Sequence, residues 1–356
     1  MTTTTEITVH KTSKSRLPQV DFNDIPFGKY IADHMLVADY LNGEWHAPEI
    51  VPYGDLSMPP AMLALHYGQS VFEGMKAFRT QDGNVSIFRM DKHYDRFCKS
   101  MERFCMPLLP KEFFVEGLKK LIEVDADWVP DVEGASLYIR PFVFASEERF
   151  GVGPSNEYKF IIFTGPVGPY YAKPLKVKVE DHFIRAAKGG TGYAKCAGNY
   201  GGALYPTQLA KEAGYDQVLW TDRSPELNIE ESGTMNVFFL INNVVVTPPL
   251  SDTILDGVTR DSLLKLAQDL GYRVEERKIS AFELAKAHEQ GMLQEAFGAG
   301  TAAVTAPIQT IHIKGKDYQL GEYNEQSFCS RLKKRLTGIR TGQEKDVYFW
   351  NTIIQK

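Results

Sequence analysis

Apolar and polar positions along the chain change period several times, and each change marks an element. From Met35, short runs alternate with turn residues. Met35-Leu-Val-Ala-Asp-Tyr40 precedes Asn42-Gly43, and a turn at Asp82-Gly83 separates Ala77-Phe-Arg79 from Val85-Ser-Ile-Phe88. Asn-Gly and Asp-Gly pairs reach the positive φ that tight hairpins need, so these stretches predict paired strands. The period then lengthens. Tyr94, Phe97, Met101, Phe104 and Cys105 recur at helical spacing over 92–106, as do Phe113, Phe114, Leu118, Leu121 and Ile122, which predicts two helices after the hairpin. Strands resume at 135–140 and 159–163.

Gly165-Pro-Val-Gly-Pro-Tyr-Tyr-Ala-Lys-Pro174 carries three prolines and two glycines in ten residues and is the best linker in the chain. Beyond it the pattern predicts a strand at 177–179, a helix near 203–213, and strands at 217–221 and 235–241. Asn242-Asn243 then turns the chain into Val244-Val-Val-Thr247. A helix from Thr259 to Leu270, with Leu263, Leu264, Ala267 and Leu270 on one face, stops at Gly271. The expected organisation is an irregular arm over 1–25 within an N-terminal domain of 1–165, a linker at 166–174 and a second domain of 175–356. At 356 residues the chain is long enough for two cores.

Composition narrows the class. With 43% apolar and 24% charged residues, and no apolar run near the ~20 residues of a membrane span, the chain reads as globular with no membrane role. The net charge of -5 and the scatter of basic residues argue against nucleic acid, and Arg331-Leu-Lys-Lys-Arg335 reads as a solvated helix face. The polar, acid-containing N-terminus has neither a secretory nor a transit pattern, so a cytoplasmic location is expected. Cys98, Cys105, Cys196 and Cys329 lack C-x-x-C spacing and partner histidines, which suits a reducing compartment and predicts no metal. Cys196 has no histidine nearby in sequence to activate it as a nucleophile.

Four stretches carry candidate chemistry. In Gly189-Gly-Thr-Gly-Tyr-Ala-Lys-Cys-Ala-Gly-Asn-Tyr-Gly-Gly202 one lysine sits among six glycines and small residues. Such surroundings suit a flexible loop with a surface lysine, or a partly desolvated, nucleophilic amine of the kind that forms a Schiff base. Glu230-Glu-Ser-Gly-Thr-Met-Asn236 puts two carboxylates before a small-residue turn and an apolar strand. It reads either as a helix cap or as a carboxylate aimed into a cleft, where it could keep a pyridine nitrogen protonated. Asp256-Gly-Val-Thr-Arg260 opens the strong helix with amides suited to a phosphate, and Phe297-Gly-Ala-Gly-Thr-Ala-Ala303 offers either an anion nest or a tight structural turn. No G-x-G-x-x-G follows a strand and no G-K-[ST] occurs, so nucleotide loops are excluded. Taken together, a lysine, an acidic partner and two anion-binding loops are the parts of a pyridoxal-phosphate site.

The set Leu65-His-Tyr-Gly-Gln-Ser-Val-Phe-Glu-Gly-Met-Lys-Ala-Phe78, Lys195-Cys-Ala-Gly-Asn-Tyr200, Glu231-Ser-Gly-Thr-Met-Asn236, Gly257-Val-Thr-Arg260 and Gly298-Ala-Gly-Thr-Ala-Ala303 resembles the branched-chain amino acid aminotransferases, from about Phe27 to the C-terminus. The resemblance implies a two-domain α+β architecture of the fold type IV pyridoxal-phosphate class, with a small N-terminal α/β domain and a larger C-terminal pseudo-barrel domain. It also implies pyridoxal 5'-phosphate as cofactor and a homodimer.

Each role follows at a matching position. Lys195 would hold the cofactor as a Schiff base and shuttle the proton; Glu231 would pair with the pyridine nitrogen and Tyr200 with the phenolic oxygen. Arg96, Val258, Thr259 and Thr301 would bind the phosphate, and Thr234 belongs to the same cofactor set. The amides of Thr301 and Ala302 would receive the substrate carboxylate. Tyr67, Phe72 and Tyr138 would wall the side-chain pocket, joined by an aromatic from the Phe27 or Tyr30 region, and Arg140 would meet the second carboxylate of glutamate.

The implied reaction is reversible ping-pong transfer from L-leucine, L-isoleucine or L-valine to 2-oxoglutarate. Ala303 and Ala306 stand where vertebrate members of the family carry a cysteine pair, so that redox device is not expected. Rival readings within the fold are a D-amino acid aminotransferase and an aminodeoxychorismate lyase; outside catalysis, a vitamin-storage protein.

Overall fold

The structure, a computed structural model, describes residues 7–168 and 173–355. These form two compact units. The first holds the described residues up to 168, the segment Ala194–Gly198 and the chain from Ile339 onward; the second holds 173–193 and 199–338.

The first unit is built on a sheet whose strands are β1 (Thr8–Val9), β2 (His34–Leu41), β3 (Glu44–Trp45), β4 (Glu49–Pro52), β5 (Ser70–Phe72), β6 (Met75–Arg79), β7 (Val85–Phe88), β8 (Ser136–Ala145) and β9 (Tyr158–Val167). Its path is β1-β4-β2-β9-β8-β6-β7 followed by the C-terminal strand Asn351–Ile354. Both expected hairpins form: Asn42 and Gly43 take φ of 55° and 88° between β2 and β3, and Gly83 takes 78° between β6 and β7. A short helix α1 (Leu63–Tyr67) precedes β5, and α2 (Met90–Arg103) and α3 (Lys111–Val124) match the two predicted helices.

The core of this unit joins Leu36, Ile87, Leu137, Ile139, Val143 and Phe160 from the sheet to Phe97, Met101, Phe114, Leu118 and Leu121 from the helices. Strand alternation decides which β8 side chains serve that core. Leu137, Ile139 and Val143 are buried, while Tyr138, Arg140 and Phe142 stand half-buried on the other face. The expected arm over 1–25 is irregular where described, apart from β1 pairing with β4 and a single 3-10 turn at Leu17–Gln19.

The second unit contains β10 (Leu175–Val179), β11 (Gln217–Thr221), β12 (Ile229–Ser232), β13 (Met235–Ile241), β14 (Val244–Thr247), β15 (Arg273–Glu276), β16 (Leu293–Gly300), β17 (Val304–Ile313) and β18 (Lys316–Gln319). Pairing runs β12-β11-β10-β17-β16-β13, and β13 pairs again with β12, so these six strands close into a barrel. The helices are α4 (Ala197–Gly201), α5 (Leu204–Glu212), α6 (Val258–Asp269), α7 (Ala281–Glu289) and α8 (Phe328–Thr341). α4 and α8 each straddle a boundary between the units.

Asn242 and Asn243 turn β13 into β14 with φ of 46° and 61°. Gly271, at φ 83°, ends α6: its N–H donates to Gln268 O and Tyr272 N–H to Ala267 O, the double bond pattern of a glycine-terminated helix.

The expected domain limits need one correction. Not everything after 175 belongs to the second unit, because Asn351–Ile354 pairs with β7 and Cys196 bridges to Val71, which returns both segments to the first. Of the expected linker, 166–167 is still strand β9 and 169–172 lie outside the described residues. No described helix is long and apolar enough to cross a membrane.

Candidate active site

In the first unit, one face of α2 organises the chemistry. Its buried positions Met90, His93, Arg96, Phe97, Ser100 and Met101 follow helical spacing, yet three of them are polar. Ser100 Oγ accepts the Lys195 N–H at 2.9 Å and donates to Arg96 O at 3.1 Å. The Lys195 carbonyl accepts the Phe72 N–H at 2.9 Å, so the lysine backbone is held from two sides. Its amine stands over the Phe72 ring, 4.7 Å from the centroid. Lys195 itself is half-buried, between buried Ala194 and buried Cys196.

Glu73, fully buried, receives Arg96 Nε–H at Oε1 (2.7 Å) and Nη2–H at Oε2 (2.8 Å), with His93 Nδ1 at 2.7 Å from Oε2. Burial pushes the Glu73 carboxyl up, but the Arg96 charge and hydrogen bonds, with help from His93, outweigh it and hold the group well below the usual carboxylate range. Burial also lowers His93; Glu73 opposes the shift, and the Arg96 and Lys195 charges add to it.

The proposed side-chain wall lies on the same sheet. Arg140 Nη2 donates to Tyr138 OH at 3.0 Å, and its guanidinium sits 4.8 Å from the Phe72 ring and 5.3 Å from the Tyr138 ring. Phe27 meets Tyr138 edge-on at 5.4 Å, whereas Tyr30 packs against the hydrophobic core, so Phe27 is the aromatic that joins this wall. Gly74 makes room for it: a Cβ there would lie 2.3 Å from Tyr138 OH. Tyr67 is more exposed and accepts the Gly151 N–H at 3.3 Å.

In the second unit, Glu231 on β12 is buried and paired in register with Asn236 on β13. Its Oε1 accepts the Leu255 N–H at 2.9 Å and lies 3.4 Å from Asn236 Nδ2, while Oε2 is 3.1 Å from Arg185 Nε. Arg185 also donates to Thr253 O and Gly192 O, which ties the glycine-rich run to the 251–255 loop. Glu230, next to it on β12, is also buried. Burial raises its carboxyl, with the Thr253 hydrogen bond and the Arg185 charge only partly opposing that.

Asn236 Nδ2 donates to Leu255 O, and a Cβ on Gly257 would fall 1.9 Å from Asn236 Oδ1, so glycine is required where α6 begins. The N-cap of α6 is Gly257, which has no side chain to accept the first-turn amides of Val258 and Thr259. Thr301, Ala302 and Ala303 form the turn between β16 and β17. Tyr200 is half-buried and Thr234 exposed. The four free cysteines include buried Cys196 and Cys329, the latter thiol pushed up to about 12 by burial.

A family model for amino-transferase class IV matches residues 70–311. The chain belongs to the class IV aminotransferases. It is 44% identical over 346 residues to branched-chain-amino-acid aminotransferase 2 of Bacillus subtilis, covering 96% of this chain and 95% of that protein. The solved branched-chain amino acid aminotransferase of Escherichia coli superposes with TM-score 0.73 at 28% identity, covering 88% of this chain and 98% of that one. The T.th. branched-chain amino acid aminotransferase complexed with N-(5'-phosphopyridoxyl)-L-glutamate gives 0.71 at 28% identity, covering 88% and 97%. The architecture is that of the fold type IV aminotransferases, α+β in two domains.

Sequence motifs alone did not single out five residues of this aminotransferase that shape the two clusters: Glu73, His93, Ser100, Arg185 and Asn236. For His93, Arg96 and Ser100 a signal existed, since polar residues at 93, 96 and 100 interrupt an otherwise apolar helix face.

Proposed function

We propose that the chain transfers amino groups reversibly between L-leucine, L-isoleucine or L-valine and 2-oxoglutarate, giving branched-chain 2-oxo acids and L-glutamate, with pyridoxal 5'-phosphate as cofactor. The observation that carries this reading is the first-unit cluster: an amine over an aromatic ring, beside an aromatic wall that contains a guanidinium. An aliphatic side chain needs the wall, and glutamate needs the guanidinium. The names of the relatives point to the same substrates, and the T.th. complex holds a phosphopyridoxyl group joined to glutamate.

The residues fit the cofactor. The donor set of the first unit offers an amine for an aldehyde and an arginine for a phosphate; that of the second offers a buried carboxylate for a pyridinium and helix amides behind a glycine N-cap for a phosphate. When bound, pyridoxal phosphate supplies an electron sink that makes the substrate Cα–H acidic. Lys195 carries it and moves the proton at Cα; Glu231 meets its ring nitrogen and Tyr200 its phenolic oxygen, with Thr234 nearby. Arg96, Val258, Thr259 and Thr301 take its phosphate. The amides of Thr301 and Ala302 orient the substrate carboxylate, Tyr67, Phe72, Tyr138 and Phe27 wall the side chain, and Arg140 serves glutamate. Phe150 and Val152, 92% and 84% exposed, support coverage by a second copy in a homodimer.

The deciding experiment follows amino-group transfer and the visible band of lysine-bound cofactor, near ~410 nm. L-leucine, L-isoleucine and L-valine are each expected to bleach the band, and 2-oxoglutarate to restore it with release of glutamate. A band that D-alanine bleaches and L-leucine does not would overturn the reading. Gly74→Ala provides a second check. Displacing Tyr138 and the Arg140 bonded to it is expected to cost ~10–100-fold in kcat/KM for L-leucine, with circular dichroism unchanged. Unaltered kinetics would remove Tyr138 from the pocket.

A further inference from the structure

We propose that Glu73 is a positioning residue for Arg96, and that its grip on the guanidinium sets how strongly the chain prefers a phosphorylated pyridoxyl cofactor over its phosphate-free form. The inference rests on the reading that Arg96 receives the phosphate. Glu73 is 0% exposed and its carboxylate collects four donors: Arg96 Nε–H, Arg96 Nη2–H, His93 Nδ1–H and, at 3.2 Å, the N–H of Gly74. Its own N–H donates to Pro141 O at 2.7 Å, so the backbone that aims the carboxylate is anchored to the sheet. His93 and Arg96 lie three residues apart on the buried face of α2, so helix and strand hold the carboxylate between them.

A free arginine side chain has a wide rotamer range, and a two-pronged contact along the Nε–Nη2 edge removes it. The opposite edge of the guanidinium then has one direction. A carboxylate beside an arginine meant for a dianion is electrostatically adverse, because it cancels the positive charge. Its presence is therefore informative. If Glu73 mattered only through charge, its removal would tighten phosphate binding; if it positions Arg96, removal loosens it.

Glu73→Gln separates the two, since glutamine keeps the volume, loses the charge, and turns an NH2 group toward donors that need an acceptor. The measurement is the dissociation constant of full-length, cofactor-stripped protein for pyridoxal 5'-phosphate and for pyridoxal, which lacks the phosphate. Glu73→Gln is expected to weaken pyridoxal phosphate binding ~10–100-fold, the range for a hydrogen bond to a charged group, and to leave pyridoxal within ~3-fold. A general packing defect would weaken both alike. Unchanged or tighter pyridoxal phosphate binding, or an equal loss for both, overturns the proposal.

Glu73→Asp is the second variant, for the event that glutamine is not accommodated. It keeps the charge but shortens the reach by one methylene, and the same phosphate-selective loss is expected. Equal affinity to the parent overturns positioning. Arg96→Ala, measured in parallel, tests the underlying reading. If it does not narrow the gap between the two ligands, Arg96 is not the phosphate residue; if it does while both Glu73 variants leave the gap intact, only the role of Glu73 falls.

Discussion

Lys195→Ala is expected to lower kcat for L-leucine by at least ~10⁴-fold, the upper range for a positioned acid–base group, because in the proposed reading the same amine would both carry the cofactor and move the proton. The chain should still fold. Its backbone ties, the N–H on Ser100 Oγ, the carbonyl on the Phe72 N–H and the neighbouring Val71–Cys196 bridge, are all kept by alanine. The side chain is only half-buried, and its contact with the Phe72 ring is an exposed-type cation–π contact worth ~0.5–1 kcal/mol. Stopped-flow measurement of the leucine half-reaction together with a urea melt checks both parts. Turnover within ~100-fold of the parent would place the proton transfer on another residue, and Lys188, in the same glycine-rich region, would be the next lysine to test.

Much of this arrangement is readable from local pattern. Strands 217–221, 235–241 and 244–247 stand where alternation and Asn242-Asn243 put them, and α6 ends at Gly271 because a left-handed residue is needed there. Such signals act over a few residues and do not depend on what the segment packs against. Barrel closure is not local in this sense. The β10–β17 pairing joins residues more than 130 positions apart, and nothing in either strand's period names its partner. The return of Asn351–Ile354 to β7 escapes the local pattern for the same reason.

The cluster in the first unit shows a different limit. Phe72-Glu73-Gly74 lies within a legible motif, yet only the structure shows what each residue does. Phe72 N–H holds the Lys195 carbonyl, Glu73 grips Arg96, and the bare Cα of Gly74 sits beneath Tyr138. Periodicity locates a buried face, but it does not say which buried polar groups meet.

Glu231→Ala is the second large effect, expected in stability and activity together. The carboxylate side chain is 4% exposed and its Arg185 partner 9%, so removing it strands a buried guanidinium, a change that costs about 3–5 kcal/mol when a buried pair is broken from one side. The Leu255 N–H loses its acceptor at the same time. The 251–255 loop thereby loses a tie to β12, while Asn236 Nδ2 on Leu255 O still holds it to β13. If Glu231 pairs with the ring nitrogen as proposed, activity should fall further than stability alone explains, since a ring nitrogen without a carboxylate partner is a poorer electron sink.

A double-mutant cycle with Arg185→Met separates the contributions. Because methionine removes the stranded charge while filling its space, the double variant should recover much of the lost stability in urea and none of the lost turnover. Recovery of both would mean that Glu231 serves only to neutralise Arg185. Recovery of neither would mean that the Leu255 contact, rather than the ion pair, carries the energetic weight at this corner of the barrel.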